Sequence, residues 1–306
     1  MIKLRNIYVT GITGFVGKNF VKYIENTTDT INVVEIDLRS ENWKNKLQNC
    51  DVILHLAGKA HDLKNITKPE DYFNINTELT KEVYTKFLES SAQTFIFISS
   101  VKAAVDSIDY VLDENEPTRP STIYGQSKLL AEKYILNSLP NLGSEKRVYI
   151  LRPCIIHGPY NKGNLITLYK YIRSGFPWPL GKYNNVRSYC SILNLCFVLK
   201  ELSERNDILS GIYNVADNEV LSTNDLVSFI AKLNNTKIRI FHLPRFIVSI
   251  FAKIGDILNL PFNSEKLIKL TENFQVSNRK LTIALKKNFP VSLEEGLLYT
   301  FNSNED

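Results

Sequence analysis

Tyr124 and Lys128 stand four apart in Tyr124-Gly125-Gln126-Ser127-Lys128, and of the fifteen tyrosines only Tyr124 has a lysine at the fourth position after it. On a helix that spacing sets both side chains on one face, one turn apart. An ammonium beside a phenol favours the phenolate, so the pair is expected to lower the tyrosine pKa. A phenol tuned in this way can take a proton from a hydroxyl, or return it, while a hydride moves at the neighbouring carbon. Pairs at this spacing are common on helices, so the chemistry also needs a hydride carrier bound elsewhere on the chain.

A binding signature for such a carrier lies near the N-terminus. Ile7-Tyr8-Val9-Thr10 reads as a short buried strand that enters Gly11-Ile12-Thr13-Gly14-Phe15-Val16-Gly17 and then the helical stretch from Lys18 to Glu25. A strand, a glycine turn and a helix start together make a dinucleotide-binding entry. Gly11 permits the tight turn, Gly14 lets backbone approach the pyrophosphate, and Gly17 lets helix and strand pack closely. The helix N-terminus adds free N–H groups and partial positive charge, which brings Thr13, Phe15 and Val16 into the cofactor set. The spacing is GxxGxxG rather than GxGxxG.

A second apolar run, Ile31 to Ile36, ends at Asp37, twenty residues after Gly17. A carboxylate there can accept from the adenosine ribose hydroxyls, which favours NAD(H). Arg39, two residues on, would instead attract a 2′-phosphate and keeps NADP(H) as the alternative cofactor.

These residues need a frame. Strand-like runs at 7–10, 33–36, 52–56, 95–99 and 148–152 alternate with helical stretches that include 78–90 and 127–139, the pattern of a parallel sheet covered on both faces. The expected fold class is α/β, a doubly wound parallel sheet with a smaller, mostly helical cap. Residues 1–160 form the dinucleotide domain, 188–216 rejoin it, and 161–187 with 217–306 form the cap. Clustered prolines and glycines between 158 and 181 read as loops.

Composition is that of a soluble globular protein, with 44% hydrophobic and 23% charged residues and a net charge of +5. No basic run with interleaved aromatics stands out, so nothing points to nucleic acid. Cys50, Cys154, Cys190 and Cys196 form no CxxC pair and show no zinc spacing with the histidines, so no metal is expected. They read as reduced cysteines of a cytoplasmic protein, and the chain begins almost directly with its first strand, which leaves no room for a signal peptide. The apolar stretch from Phe246 to Leu260 contains Lys253 and Asp256. It is too short and charged for a membrane span; an amphipathic helix packed on the core is expected, with a membrane-surface helix as the alternative.

Together these residues resemble the extended short-chain dehydrogenase/reductase family, in particular its nucleotide-sugar epimerases, dehydratases and reductases. The resemblance rests on Thr10–Gly17, Asp51 before the third strand, His55-Leu56-Ala57-Gly58 after it, Asn76, Ser99-Ser100, Tyr124–Lys128, and Arg152-Pro153 before Gly158-Pro159. It implies that Asp51 and Val52 sit near the adenine, that Leu56, Ala57 and Gly58 line the cofactor channel with Asn76 and Pro153, and that Ser100 bonds the reacting oxygen. It makes Tyr124 the acid/base and Lys128 the ribose ligand that holds the tyrosine pKa down. Asn164, Leu165, Leu180, Lys102 and Arg187 fall at substrate positions, Arg187 suiting a diphosphate through its planar fork. His61 could approach the diphosphate or be a solvated loop residue, Cys154 reads as a small buried hydrophobe, and Trp178 either stacks on a base or packs the cap. A homodimer is suggested by family habit.

Three reactions share this chemistry. Dehydratases in the family carry Asp-Glu after the serine or threonine, whereas Ser100 is followed by Val101-Lys102. The segment Ser99-Ser100-Val101-Lys102 resembles reductases of UDP-4-keto-6-deoxy-N-acetylhexosamines, which feed surface polysaccharides, although those usually continue Asn-Gly-Glu and this chain has Ala103-Ala104-Val105. The expectation is a UDP-sugar 4-keto reductase, with a UDP-hexose or UDP-N-acetylhexosamine 4-epimerase as runner-up. A non-catalytic NAD(P)-binding regulatory protein is the third reading.

Overall fold

The computed structural model describes residues 4–60, 68–161, 163–260 and 262–303. Its strands are β1 (Arg5–Thr10), β2 (Ile31–Ile36), β3 (Val52–His55), β4 (Thr94–Ile98), β5 (Val111–Leu112), β6 (Arg147–Pro153), β7 (Ile155–His157), β8 (Arg187–Ser191), β9 (Gly211–Val215), β10 (Val220–Leu221) and β11 (Gln275–Val276). The central sheet has six strands in the order β2-β1-β3-β4-β6-β9, and every pairing is parallel. Its middle strands are largely apolar because both faces are covered: Val52 to His55 and Thr94 to Ile98 are wholly buried.

Alternation along the strands divides two cores. Ile7, Val9, Leu54, Ile96, Tyr149 and Leu151 point to one face. That face is covered by α1 (Phe15–Thr27) through Phe20 and Ile24, and by α7 (Ile192–Glu204) through Leu195 and Leu199. Ile53, Phe95, Phe97, Val148 and Ile150 point to the other. There α2 (Trp43–Lys46) and α4 (Leu79–Glu89) contribute Trp43, Val83, Tyr84 and Phe87, and α5 (Ile123–Ser138) contributes Ala131 and Ile135. The short α3 (Pro69–Phe73) runs through a single π-type turn, Asn74–Glu78, into α4.

A third core belongs to the cap. It joins α6 (Asn164–Arg173), α8 (Thr223–Leu233), α9 (Arg245–Ile257), α10 (Ser264–Thr271) and α12 (Leu293–Asn302) around Trp178, Leu180, Tyr189 and Phe301. Phe274, Val276 and α11 (Arg279–Leu285) pack into the sheet core through Leu281 and Leu285, and Lys280 donates to the Ile212 carbonyl. The C-terminal third therefore touches the dinucleotide domain before returning to the cap. The helix expected over 246–260 forms, but buries only Val248, Ala252 and Gly255. All four cysteines are buried free thiols, and no helix of the described residues is long and apolar enough to cross a membrane.

Candidate active site

The sheet order places the site. The chain leaves β1 toward β2 on one side, then returns to place β3 on the other, so a crevice opens at the carboxyl ends of β1 and β3. Gly11 takes φ +72° there, and a Cβ on it would lie 2.6 Å from the Ala57 nitrogen. Only glycine combines that conformation with that approach. Gly17 is under the same pressure, since its Cβ would meet the Ile12 backbone at 2.5 Å. No side chain caps the N-terminus of α1 at Gly14, so its first N–H groups face the crevice without an intrahelical partner.

Below the turn lies a relay absent from the sequence reading. Thr80 donates to the Asn76 carbonyl (2.9 Å), which leaves its hydroxyl oxygen to accept from His55 Nε2 (2.9 Å). His55 Nδ1 then accepts from Thr10 (2.7 Å), whose oxygen accepts from the Ala57 N–H (3.3 Å). Burial, helped by the nearby Lys128 charge, pushes the His55 pKa down to about 3, so the ring is neutral and serves as a fixed brace.

On the far wall, Thr122 caps α5 by accepting from Gly125 N. Asp106 holds the cap in turn, accepting from the backbone and hydroxyl groups of Ser121 and Thr122, with Ser121 N at 2.5 Å and Thr122 Oγ1 at 2.8 Å. Nothing in the local sequence marked Asp106. The helix then presents Tyr124, Lys128 and Glu132 at successive turns on one face.

Ser100 lies beside the Tyr124 hydroxyl and favours its phenolate, and the Tyr124 ring meets Tyr72 edge-on at 6.4 Å. Ser100 is buried at the end of β4 and accepts from Lys102 N (3.2 Å). Lys128 Nζ donates to the Ile98 carbonyl (2.8 Å) and lies 4.7 Å from the Phe97 ring centre. A Cβ on Gly58 would fall 3.0 Å from that nitrogen, so the lysine ends at the cofactor strand. The glycine turn, Ala57-Gly58, Lys128 and Tyr124 are thereby joined in one crevice.

The electrostatics differ from the expectation. Burial raises the Tyr124 pKa above its ordinary 10.0, with Ser100 pulling the other way and the Glu132 charge adding to the rise. Lys128 does not depress it; burial instead brings the lysine down to about 8, while Glu132 supports its charge. Desolvation of both groups exceeds their mutual help. Glu132 is the residue the sequence reading passed over, although Tyr124, Lys128 and Glu132 recur every fourth position. It is fully buried and held by Arg152 at 2.5, 3.0 and 3.2 Å and by Ser99 Oγ at 2.5 Å.

Other expected positions are redistributed. Asp51 precedes β3 at the opposite end of the sheet, pairing through its carboxylate with Asn6 N (2.8 Å). In a parallel sheet that end is a strand length from the glycine turn, and Val52 is fully buried. Asn76 makes its bonds within the protein, to Lys59 N, Lys59 O and Ser127 Oγ, and clamps the strand-end loop to α5. Leu165 and Leu180 are cap core, and Trp178 packs there too, donating to Asn224 (2.7 Å). Leu56 borders the crevice, while Pro153 and Cys154 are buried at the end of β6, where burial drives the Cys154 thiol well up. Asn164 is exposed at the start of α6. His61 lies outside the described residues.

Asp37 is exposed at the end of β2, where Arg39 donates to it from backbone and side chain (3.0 and 3.2 Å) and holds its pKa down. Beyond the catalytic wall, Arg187 donates to the Lys269 carbonyl and reaches Glu272 at 3.3 Å. Lys102 sits over Phe274 and donates to the Asp106 carbonyl. Burial lowers its pKa against the pull of Glu272 and Asp106.

The residues present fit a dinucleotide. The uncapped α1 terminus suits phosphates, the Gly11 and Gly58 positions are kept free of side chains, and Asp37 and Lys128 offer partners for the two riboses. The cofactor is NAD(H), with NADP(H) admissible on this fold.

Comparison with known proteins agrees. The family model described as NAD dependent epimerase/dehydratase matches residues 7–216. A UDP-glucose 4-epimerase of Vibrio cholerae is 28% identical, over 97% of this chain and 94% of its own. An N-acetyl-alpha-D-glucosaminyl-diphospho-ditrans,octacis-undecaprenol 4-epimerase of Escherichia coli O157:H7 is 26% identical over 78% and 75%. Among solved structures, RMD from Pseudomonas aeruginosa complexed with NADPH superposes with TM-score 0.75 at 18% identity, covering 98% of each chain. With the dinucleotide crevice, the Ser100–Tyr124–Lys128 wall and the family match in one chain, this protein belongs to the NAD-dependent epimerase/dehydratase family and is an enzyme of the extended short-chain dehydrogenase/reductase type.

Proposed function

We propose that the protein acts on carbon four of a UDP-linked hexose or N-acetylhexosamine and inverts it as a 4-epimerase. The observation that carries this reading is the Ser100–Tyr124 pair facing the Gly58–Lys128 end of the crevice. The names of the Vibrio and Escherichia relatives support epimerisation. A nicotinamide, when bound, would take the hydride from carbon four and return it to the opposite face. Ser100 orients the reacting oxygen. Tyr124 takes the proton of that oxygen as carbon four is oxidised and returns it as the ketone is reduced; burial, by raising its pKa, favours the protonated form that serves the return. Lys128 places a positive charge beneath the transfer. Lys102 and Arg187, gathered near Glu272, supply cations for the diphosphate at the cap junction.

A second reading, a 4-keto reductase for UDP-4-keto-6-deoxy-N-acetylhexosamine, rests on the Ser99-Ser100-Val101-Lys102 turn. The raised Tyr124 pKa suits it too, since reduction is the half both reactions share. The test is to incubate the protein with UDP-glucose or UDP-N-acetylglucosamine, and separately with a UDP-4-keto sugar and NAD(P)H. Interconversion of the C4 epimers without net cofactor change supports the epimerase. Stoichiometric NAD(P)H oxidation with no interconversion transfers the assignment to the reductase.

A further inference from the structure

The hairpin of α9 and α10 carries an outer surface that the fold does not use. At 3.6 residues per turn, Phe246, Ile250 and Ile257 lie opposite the buried stripe of Val248, Ala252 and Gly255. Phe251, Ile254 and Leu258 fill the flank between them. All six are exposed, Phe246 at 66% and Ile257 at 79%. The core uses only the three small residues, and Gly255 packs so closely on the Phe262 backbone that no Cβ would fit. The amphipathic pattern of this helix is therefore inverted relative to a helix laid on a core, whose large apolar residues face inward.

The net charge of the segment that carries the patch restricts its occupant. Residues 237–271 hold Lys237, Arg239, Arg245, Lys253, Lys266 and Lys269 against Asp256 and Glu265, a net +4 of the chain's +5. Asp256 is itself engaged, accepting from Ser264 at the start of α10. A second copy would meet this patch with the same excess of positive charge, which opposes self-association. An anionic bilayer offers both of the things the hairpin lacks, an apolar layer for the large side chains and negative headgroups for the lysines and arginines.

We propose that α9 docks this protein on an anionic lipid surface, with Phe246, Ile250 and Ile257 entering the headgroup boundary and the surrounding cations resting on the headgroups. The dock lies one helix from the cap junction, since Lys269 of α10 receives Arg187.

The full chain is sedimented with vesicles of one part phosphatidylserine to about three parts phosphatidylcholine, and with phosphatidylcholine alone. The F246S/I250S/I257S variant, whose three positions are exposed, serves as the comparison, with melting temperature confirming that it folds. Binding to the anionic vesicles is expected to exceed binding to the neutral ones by about tenfold or more, and to fall by a similar factor in the variant and in high salt. Equal sedimentation of variant and parent overturns the proposal, as does no binding to anionic vesicles. A dimer in light scattering that disappears in the variant also overturns it, by assigning the face to a second copy.

Discussion

Arg152→Met tests whether the buried Glu132–Arg152 pair underlies the catalytic wall. The guanidinium gives Glu132 three contacts of 2.5–3.2 Å, and both side chains are essentially inaccessible, at 2% and 0% exposure. Methionine fills similar space but leaves the carboxylate with Ser99 alone. Stranding a buried charge in this way costs about 3–5 kcal/mol, and for a chain of this size that lowers Tm by about 6–10 °C. Scanning calorimetry at pH 7 should show this gap to the parent. The double variant Glu132→Gln, Arg152→Met removes both charges and should recover most of the loss. An Arg152→Met protein within about 1 °C of the parent, or a double variant whose loss is the sum of the singles, would refute this account of the pair.

Four further outcomes follow. Tyr124→Phe should lower kcat by about 10²–10⁴ while NAD(H) affinity, read by titration calorimetry, stays within about twofold. Glu132→Gln withdraws the charge that supports Lys128, so the alkaline limb of the pH–rate profile should move below pH 8; an unmoved limb removes Glu132 from the site's electrostatics. Lys128 has its folded pKa lowered from 10.5 to about 8, so the cost of keeping it charged is present below pH 8 and is relieved as pH rises toward 10.5. The stability of the parent relative to Lys128→Met should therefore climb across that window. Gly11→Ala, which forces a Cβ into the Ala57 backbone at φ +72°, should weaken cofactor binding by about tenfold or more.

The sheet and its crevice were legible because their signals are local. Continuous apolar runs mark strands buried on both faces, and the glycines at 11, 14 and 17 mark a turn that side chains would block. Tyr124 and Lys128 were legible for the same reason, since helical spacing alone brings them together. That Leu165 and Leu180 lie in the cap core was not legible, because a residue type does not say whether a leucine lines a pocket or fills a core. Glu132 carried a visible signal, a third turn on the same face, but its partner Arg152 lies twenty residues away and joins it only through the sheet. Asp106 had none, because its role depends on a loop folding back onto the start of α5.

Sequence alone determined the α/β class, the glycine turn and the placing of Tyr124 and Lys128 on one helix face, since each rests on periodicity or on steric limits within a few residues. Tertiary structure decided the electrostatics and the cap. Burial raises the Tyr124 pKa and lowers that of Lys128, reversing the expectation drawn from proximity, because removing a charge from water outweighs one nearby partner. The orientation of α9 was likewise set by packing: Val248, Ala252 and Gly255 are small enough to lie against the hairpin, and the larger apolar residues are left outside.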